Sequence, residues 1–541
     1  MAEGIDRREF FKGAAGVALG AAAASQLPAR SLATAAGKTA VRPVRGGKFL
    51  QGVASGQPTH RSMTLWTKLS NVERGGAFTL EVAKDRGFDR VVERRKVRAR
   101  KQFDHAIKTR VTGLDPHERY FYRFEANGKS SRVGQFRTLP PPGSRAPIKI
   151  GIFSCQDYVA GYYTGHRGLL REDDLDLIVC LGDYIYERQF YEPQREDTTG
   201  ANGDGEVQRL SEYRDKYALY HSDRNLQKLR ARVPLAAIWD DHEVEDNYAD
   251  DEPGAATLDP RVPFLKRRKN GYRAYFEHMP FAPAGHRKRD RFRIYRSIKL
   301  GQTAEILLLD QRQYRDGQPC GDTIPPRRRA RTPSGTIPSA PTWEPSRRRG
   351  LSGDSAPRRR PGKLVGNQAM IMAFDVPATQ PINVDQWDGY GADRAEIMGH
   401  IAQHEIENVS FLTGDIHTFF AGAVSETGRQ TAAGTPASLA TEFVAGSMTS
   451  LGVPETINAT TGVPLPPAVQ AQIADTVFLR GNNPHFAYSN TERRGYGVVT
   501  ARADKLEVEF RSPQTTEQPK SPVETIQAFE VASGVPEVQL V

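Results

Sequence analysis

The sequence has few cysteines and no internal repeat. Three cysteines occur in 541 residues, at Cys155, Cys180 and Cys320. An odd, sparse set does not form the disulfide framework of a small secreted domain, so one thiol is left for chemistry. The lack of a repeat excludes a solenoid. With 38% hydrophobic and 26% charged residues, the chain has a globular rather than a disordered composition, and its length predicts more than one domain.

The N-terminus has the pattern of an export signal. Arg7 and Arg8 stand in DRREFFKGAAG, an alanine-rich apolar run covers residues 13–27, and a small-x-small motif follows at residues 33–35. This order is typical of a twin-arginine signal peptide, which we assign to residues 1–35. A buried amphipathic helix is the weaker alternative, because the run has no polar face. The signal predicts contact with the twin-arginine export machinery and a protein that is secreted or held at the cell envelope. It also predicts a mature chain without a transmembrane segment.

The positive charge of the chain is concentrated in one segment. The formal net charge of +11 by itself suggests a nucleic-acid partner. Residues 324–363 hold ten arginines and one lysine against two acidic residues, so they carry 11 − 2 = +9 and the remainder carries 11 − 9 = +2. We therefore expect a basic insert at 324–363 and no specific nucleic-acid partner.

The first part of the mature chain has the pattern of a small all-β domain. Short alternating runs such as MTLWTKL, FTLEVAKD and YFYRFEA are separated by turn residues across residues 44–142. The stretch GLDPHERYFYRF resembles the strand-entry corner of a fibronectin type III module, with Tyr120 or Tyr122 packing across the turn. LPPPGS at residues 139–144 is typical of a linker.

The pattern then changes to α/β. Apolar runs such as IKIGIFSC, LDLIVCLGD, VPLAAIWDD and NVSFLTGDIH end in polar or glycine-rich elbows, and helices are predicted at residues 207–220 and 394–407. In such folds ligands bind beyond the carboxyl ends of the strands. GYGVVTARADKLEVEFR predicts a late antiparallel portion. We assign residues 147–512 to this domain and expect the tail, residues 513–541, to be loosely held because its periodicity is weak.

Chemically active side chains follow five of the predicted strands. They offer a thiol, a phenol, carboxylates, imidazoles and a guanidinium, at Cys155, Asp183, Tyr186, Asp240, Asp241, His242, Asp310, Arg312, Asp415 and His417. Each alone has an ordinary explanation, since a strand-end Asp often caps a helix and a Cys often packs as a small hydrophobe. Together at one sheet edge they would crowd charges that cations must compensate. The joint pattern predicts a polynuclear metal site.

The donor types indicate which cations the site would take. The Tyr186 phenolate suits ferric iron, and the Cys155 thiolate suits a transition ion because thiols deprotonate on coordination. Asp183 is the natural bridge between two ions. Neighbouring sites with oxygen ligands alone suit calcium, magnesium or manganese. Two close cations stabilise both the attacking and the leaving oxygen of a displacement at phosphorus.

Several motifs taken together resemble one known family. The strand-end sequences GD, DDHE and GDIH look like those of calcineurin-like metallophosphoesterases. In detail, FSC, GDYIYE, WDDHEVEDNY, LLLDQRQYR, LVGNQ, WDGY, LTGDIHTFFAG and NNPHF…RRGYG closely resemble the PhoD family of alkaline phosphatases. The resemblance covers nearly the whole mature chain. It implies a metallophosphoesterase-like αββα sandwich preceded by the all-β, fibronectin type III-like domain.

The resemblance also implies the cofactors, Fe(3+) and Ca(2+), and their ligands. The implied iron ligands are Cys155, Asp183 and Tyr186, with His417 or a nearby group completing that side. The Asp-x-x-Tyr spacing of Asp183 and Tyr186 is the one that purple acid phosphatases also use for ferric iron. The implied calcium ligands are Asp183 together with Asp240, Asp241 or Asp415. Which member of the 240–241 pair binds directly stays open.

The catalytic candidates are His242 and Arg312. His242 is expected to orient phosphate or to protonate the leaving oxygen. Arg312 either faces phosphate or, as the preferred alternative, fixes the fold through Asp310 or Asp316. His485 is a weaker candidate still.

One segment departs from the family pattern. Before LVGNQ the family usually shows a helix with an LG-x-x-Q and tryptophan pattern, where this chain has a proline- and arginine-rich stretch that continues to Lys363. Two hypotheses explain it: a locally shifted reading frame that recovers by Lys363, or a true basic insert. An intact codon series supported by peptides would exclude the frameshift.

The expected function is that of a secreted phosphoester hydrolase acting on small monoesters and diesters by attack of a metal-activated hydroxide. One alternative is an extracellular phosphodiesterase for phospholipid head groups or wall polymers. Another is a non-catalytic envelope-binding protein with a structural metal site. The number of strand-edge ligands argues against the last alternative. Natural substrate and oligomeric state do not follow from the sequence.

Overall fold

The computed structural model describes residues 42–254, 259–281, 292–319, 362–376, 380–381, 383–452, 454–455, 466, 469 and 483–541. The predicted signal at residues 1–35, Cys320 and nearly all of the basic segment lie outside these residues. Within the described ranges, no helix is long and apolar enough to cross a membrane.

The first part of the described chain consists of strands, as predicted. Its strands are β1 (Arg45–Lys48), β2 (Val53–Thr59), β3 (Ser62–Lys68), β4 (Ser70–Arg74), β5 (Ala77–Ala83), β6 (Val91–Arg98), β7 (Ala106–Thr112), β8 (Arg119–Ala126), β9 (Lys129–Ser130) and β10 (Gly134–Arg137). A sheet of order β10-β8-β5-β6, with β9 beside β8, faces β2 and β3 across a shared hydrophobic cluster. At the predicted corner, the Asp115 amide donates to the Tyr120 hydroxyl at 2.9 Å, and the Tyr122 ring is fully buried in that cluster.

The remainder of the chain mixes helices and strands. Its helices are α1 (Thr164–Leu169), α2 (Leu210–Tyr220), α3 (Arg224–Arg232), α4 (Phe264–His278) and α5 (Gly391–Gln403), with a short 3-10 turn at Trp387–Tyr390; another 3-10 turn, at Lys101–Phe103, lies between β6 and β7 of the first part. Its strands are β11 (Ile148–Phe153), β12 (Leu177–Cys180), β13 (Leu235–Ala237), β14 (Arg296–Leu300), β15 (Ala304–Leu308), β16 (Gly362–Asn367), β17 (Asp375–Val376), β18 (Gln380–Pro381), β19 (Val409–Thr413), β20 (Phe419–Val424), β21 (Ala440–Ala445), β22 (Phe486–Asn490), β23 (Tyr496–Ala501), β24 (Lys505–Pro513), β25 (Val523–Ala532) and β26 (Gln539–Leu540). The two predicted helices correspond to α2 and α5.

Two large sheets carry the second part of the chain. One has the order β26-β25-β24-β23-β11-β12-β13-β2-β3-β7, and the other β14-β15-β16-β19-β21-β20-β22. Their central strands are parallel, as their apolar character predicts. Side chains from both sheets join one hydrophobic cluster. Helix α5 contributes Met398 and Ile401 to a separate cluster with β16, β19 and β21.

The register brings the strand ends into line. Phe153 of β11 pairs with Cys180 of β12, which pairs with Ala237 of β13. In the other sheet, Asn367 of β16 pairs with Thr413 of β19. Within each sheet, the elbows that follow these strands therefore begin at matching levels.

The all-β part shares a sheet with the α/β part. Strand β2 is parallel to β13 through the pair Gly56 and Leu235, and β3 and β7 extend that sheet outward. The boundary drawn between residues 142 and 147 therefore lies between segments that share a sheet, and the division into two domains stays a prediction.

The C-terminal tail differs from its expectation. Strand β25 is antiparallel to β24; the pairing runs from Lys505 opposite Ala532 to Pro513 opposite Val523. Phe529 of β25 is buried in the main hydrophobic cluster. Most β25 side chains are partly exposed on both faces. The segment is a paired strand rather than a loose tail; its alternation is weak because only Phe529 and Val531, on one face, are buried and the residues from Val523 to Ala528 are partly or fully exposed.

Candidate metal centre

The elbows after β11, β12, β13 and β19 deliver the predicted ligands to one place. Four of the residues occupy the left-handed region, with φ of +52° at Cys155, +51° at Asp183, +63° at Asp415 and +55° at His417. Such a backbone costs on the order of 1–3 kcal/mol per residue and persists only where the surroundings enforce it. Strain is therefore concentrated where the candidate ligands lie.

Glycines allow these elbows to approach each other. Gly182, with φ of +119°, lies so close to the next elbow that an added Cβ would stand 2.5 Å from Cβ of Asp240. At Gly414 the same atom would stand 2.5 Å from the Ser154 hydroxyl oxygen. A side chain at either position would clash with the neighbouring elbow, so each GD motif needs its glycine. The close approach brings the aspartate that follows each glycine into the cluster.

The predicted residues form three overlapping groups. Within each group one ligand atom per residue lies within 4.8 Å of the others: Cys155, Asp183 and His417; Asp183, Asp241 and His242; and Asp183, Asp240, Asp241 and Asp415. Asp183 belongs to all three groups, which is the position that a bridging carboxylate requires. A possible metal-binding site is therefore present at the predicted strand ends.

One side of the cluster contains soft and aromatic donors. The Tyr186 hydroxyl donates to a carboxylate oxygen of Asp183 at 3.2 Å and lies 3.1 Å from Nε2 of His417. Nδ1 of His417 donates to the Leu451 carbonyl at 2.7 Å. Because that carbonyl only accepts, the neutral ring presents its Nε2 lone pair to the cluster. Burial lowers the pKa of His417 to about 4, so the ring is neutral at physiological pH.

The other side consists of carboxylates around one guanidinium. Nε of Arg312 donates to Asp240, and its two terminal nitrogens bind Asp385 at 2.9 and 2.7 Å. Nη2 also lies 3.4 Å from a carboxylate oxygen of Asp241 and of Asp415. Arg312 is fully buried. The bidentate partner of Arg312 is therefore Asp385, rather than the Asp310 or Asp316 expected from the sequence.

Burial makes the acidic groups hard to ionise by themselves. It raises the pKa of the Cys155 thiol and of the Tyr186 phenol well above their usual values, and the charge of Asp183 adds to both shifts. Burial likewise raises the pKa of Asp183 well above its usual value, despite the attraction of His242, and raises that of Asp415 to about 6. These acids need added positive charge to be anions together.

The pKa values of Asp240 and Asp241 shift in opposite directions. Burial raises the pKa of Asp240 despite the attraction of Arg312. Burial also opposes the ionisation of Asp241, but Arg312 and His242 outweigh it and hold the pKa of this carboxyl below its usual range. The backbone N–H of Asn247 also donates to Oδ2 of Asp241 at 2.7 Å, which stabilises the ionised carboxylate.

His242 is surrounded by carboxylates. Its Nδ1 donates to Glu187 at 2.8 Å, and its Nε2 lies 3.9 Å from Asp246. Burial opposes its protonation, but Asp241, Glu187 and Asp183 outweigh this and raise the pKa of His242 well above its usual value. A positively charged ring beside the carboxylates is suited to bind phosphate oxygens or to give up a proton.

Several residues at the site were missed or left without a role. Glu243 accepts the backbone N–H of Asp183, Tyr184 and Asp240 at 3.2, 2.7 and 2.9 Å, so one carboxylate joins two elbows. Its place in DDHE was a signal for it. The Ser450 hydroxyl lies 2.7 Å from the Tyr186 hydroxyl, and Gln386 donates to Asp415. Nothing in the sequence near Ser450 or Gln386 indicated these contacts. His485, the weakest candidate, bonds to the Ala373 carbonyl at 2.8 Å.

Comparison with known proteins identifies the family of this chain. Residues 150–510 match the PhoD-like phosphatase model, and residues 33–140 match the N-terminal domain of PhoD-like phosphatases. The chain is 32% identical over 546 residues to alkaline phosphatase D of Bacillus subtilis (strain 168). The alignment covers 97% of this chain and 87% of that protein.

Two solved structures share the fold. The structure of PhoD superimposes with a TM-score of 0.75 at 28% identity over 92% of both chains. A purple acid phosphatase, PPD1 from yellow lupin (Lupinus luteus) seeds, has a TM-score of 0.51 at 12% identity over 90% of this chain and 74% of that one, and shows likeness of fold alone.

The fold and these relatives define a phosphoric ester hydrolase with a mixed α/β architecture. The chain belongs to the PhoD-like phosphatase family. The resemblance seen in the sequence motifs is confirmed.

Proposed function

We propose that this protein is a secreted, metal-dependent phosphatase of the PhoD type that holds Fe(3+) and Ca(2+) and hydrolyses phosphate monoesters and diesters. The observation that carries the proposal is a set of buried carboxylate oxygens. Oδ1 of Asp183, Oδ2 of Asp240 and Oδ1 of Asp241 accept no hydrogen bond from any described residue. Buried carboxylate oxygens are costly without a partner, and bound cations would supply one.

The iron proposal rests on the donor set of the first side. Cys155, Asp183, Tyr186 and His417 offer a thiolate, a carboxylate, a phenolate and a neutral imidazole. A trivalent cation would reverse the raised pKa values of the thiol and the phenol, because coordination favours the deprotonated forms. The orientation of Nε2 in His417 suits a ligand nitrogen.

The calcium proposal rests on the second side. Asp183, Asp240, Asp241 and Asp415 provide carboxylate oxygens alone, which a hard cation prefers. Oδ2 of Asp240 accepts no hydrogen bond, and Oδ1 of Asp241 has only the Arg312 guanidinium at 3.4 Å, which favours a direct metal contact from each. Arg312 contacts Asp240, Asp241 and Asp415 and would limit the repulsion among these three carboxylates.

The residues of the chain divide the remaining work. When bound, two close cations neutralise the phosphoryl oxygens and make water more acidic. His242, held by Glu187 at Nδ1, would direct Nε2–H toward the leaving oxygen and give up its proton as the ester bond breaks. Glu243 keeps the elbows of Asp183 and Asp240 at a constant separation, which preserves the alignment of the reacting groups.

The domain assignments remain part of the proposal. They are a twin-arginine signal at 1–35, a fibronectin type III-like module at 44–142, a metallophosphatase αββα sandwich at 147–512 with a basic insert at 324–363, and a C-terminal segment at 513–541. The shared cluster between the large sheets and the separate cluster under α5 support the sandwich. The contact of Tyr120 with Asp115 supports the corner of the N-terminal module.

Metal analysis of protein matured through its own export route tests the proposal. We expect bound iron and calcium, a violet solution from tyrosinate-to-iron charge transfer, and release of phosphate from aryl monoesters that stops after chelation and returns with both metals. Parallel assays with aryl diesters measure the diester activity. Full turnover by metal-free protein would overturn the proposal.

A further inference from the structure

A cavity away from the candidate metal ligands has an unusual lining. It has a volume of about 570 Å³ and lies between α1, the beginning of α3 and the segment around Lys520. Five basic residues line it, namely Arg167, Arg195, Arg224, Lys228 and Lys520, against the single carboxylate of Asp223. Three tyrosines, Tyr158, Tyr162 and Tyr163, complete one wall.

Most of this positive charge is not neutralised. Arg195 binds Asp223 at 3.1 Å, so the one acidic group is already used. Within the described part of the chain, no carboxylate forms an ion pair with Arg167, Arg224, Lys228 or Lys520. Asp223 also caps α3 by accepting the amides of Asn225 and Leu226. The net excess of four cations around one concave space is a field that attracts anions.

Two of the cations repel each other weakly, and a bound anion would relieve this repulsion. Arg224 and Lys228 stand four residues apart on α3, and like charges at this spacing destabilise a helix. Arg195 is held in place by its ion pair and by stacking 3.5 Å above the Tyr158 ring. One cation is therefore preorganised on the wall while others across the cavity are free to bind.

The tyrosine wall is connected to the metal centre. The Tyr220 hydroxyl accepts the backbone amides of both Tyr158 and Tyr186, at 3.2 and 2.9 Å. The Tyr163 hydroxyl donates to the carbonyl of Gln156, the residue after Cys155, at 2.7 Å. The cavity and the candidate site thus share supporting contacts without sharing ligands.

We infer that this cavity binds an oligo-anionic phosphate chain. Arginine forks match phosphate oxygens, lysines add point charges, and four unpaired cations at separate points favour a chain over a single phosphate. The chain is either the distal part of a polymeric substrate or a free ligand with the same chemistry. The binding stands apart from the proposed function, and only its use for substrates rests on that function.

Binding is tested with Arg224→Ala/Lys228→Ala in the full-length, metal-loaded protein. Alanine is a good helix former, so α3 is expected to persist. The probe is a fluorescein-labelled phosphorothioate octathymidylate, which resists hydrolysis, followed by anisotropy. We expect roughly fivefold to tenfold weaker binding, and a slope of log K against log salt that is smaller by about 1.4 for two lost contacts. Arg86→Ala/Lys129→Ala removes two exposed cations from the all-β part and is expected to bind like the unaltered protein.

Two substrates that release the same phosphate distinguish the sources. They are 5′-phosphorylated octathymidylate and thymidine 5′-monophosphate. If the cavity holds the distal part of a substrate, the double variant raises KM for the long substrate alone. If it holds a free ligand, binding weakens while both KM values stay unchanged.

Two results would overturn the inference: equal binding by the unaltered protein and by Arg224→Ala/Lys228→Ala, or equally strong competition by octaglutamate, which would indicate an acidic-peptide site. Absence of metal-dependent phosphate release from both substrates would count against the proposed function and leave the binding result valid.

Discussion

The rings of Tyr186 and His242 are stacked, with centroids 4.0 Å apart and planes inclined by 28°. Phe190 packs edge-on against the same imidazole at 5.0 Å. The stack fixes the phenol of the proposed iron side relative to the imidazole of the proposed proton donor. Two residues that are 56 positions apart in the sequence are therefore held next to each other at one site by this stacking contact.

Tyr186→Phe tests the phenolate. The variant keeps the stack on His242 but loses the hydroxyl that contacts Asp183 and His417, so we expect the violet absorption to disappear and turnover to fall. Visible spectra and phosphate release measure both effects. Tyr184→Phe is the matched control, since its hydroxyl contacts His221 at 3.1 Å instead of a candidate ligand. A violet Tyr186→Phe protein would contradict the assignment.

Cys155→Ala tests the thiolate. We expect iron content and activity to drop together, because the thiol lies in one cluster with Asp183 and His417. Cys180→Ala removes an equally buried thiol at the end of β12 and is expected to keep its iron. Unchanged iron and activity in Cys155→Ala would refute the ligand role.

Glu243→Gln tests the hydrogen bonds that connect the elbow after β12 with the elbow after β13. In Glu243 both carboxylate oxygens accept hydrogen bonds from backbone N–H groups, whereas the Gln side chain replaces one of these oxygens with an NH2 group that can only donate. We therefore expect the free energy of unfolding to fall by about 1–3 kcal/mol. Because the elbows carry Asp183 and Asp240, calcium affinity is expected to weaken as well. Chemical unfolding and calcium titration measure the two effects, and a variant with unaltered calcium affinity would contradict this role.

Arg312→Met separates positioning from phosphate binding. Removing one partner of a buried charge network typically costs about 3–5 kcal/mol, because the carboxylates lose their compensating charge. We expect reduced stability and metal content, with partial recovery in Arg312→Lys. If Arg312 contacted phosphate instead, KM would rise while stability and metal content stayed unchanged.

His485→Gln tests a pH effect away from the metal centre. Burial lowers the pKa of His485 to about 4, whereas the unfolded residue titrates near 6.5. The unfolded chain therefore takes up the proton first, so the stability from neutral His485 is present above pH 6.5 and is lost as the pH falls toward 4. Between pH 7 and pH 5 this loss is about 2 kcal/mol.

The Gln variant can still donate to the Ala373 carbonyl but does not titrate. Its stability is expected to fall less than that of the unaltered protein over the same interval, as followed by urea unfolding. Turnover is expected to stay the same, and a large loss of activity would indicate the catalytic role that the sequence left as the weakest candidate. Equal pH slopes for the two proteins would contradict the buried, neutral state.

Most strands of the fold could be predicted, because alternation and apolar runs report directly on burial. Residues 513–541 were misjudged because only Phe529 and Val531 of β25 are buried, which leaves little alternation to detect. The sharing of a sheet by β2 and β13 was also missed. That pairing joins segments nearly 180 residues apart, and no local pattern records it.

The candidate ligands and the chemistry they suit could be predicted from residue types and their places after apolar runs. Parallel strands in register bring their ends to one edge of their sheet, so the donors after β11, β12 and β13 lie together, whereas Asp415 and His417 follow β19 of the other sheet and join them through the packing of the two sheets. The supporting contacts, in contrast, follow from the three-dimensional packing. Asp385 and Gln386 come from the segment before α5 and Ser450 from the loop after β21, and each reaches the site across long sequence separations. Such contacts depend on how the two sheets pack, a relationship that local residue patterns do not encode.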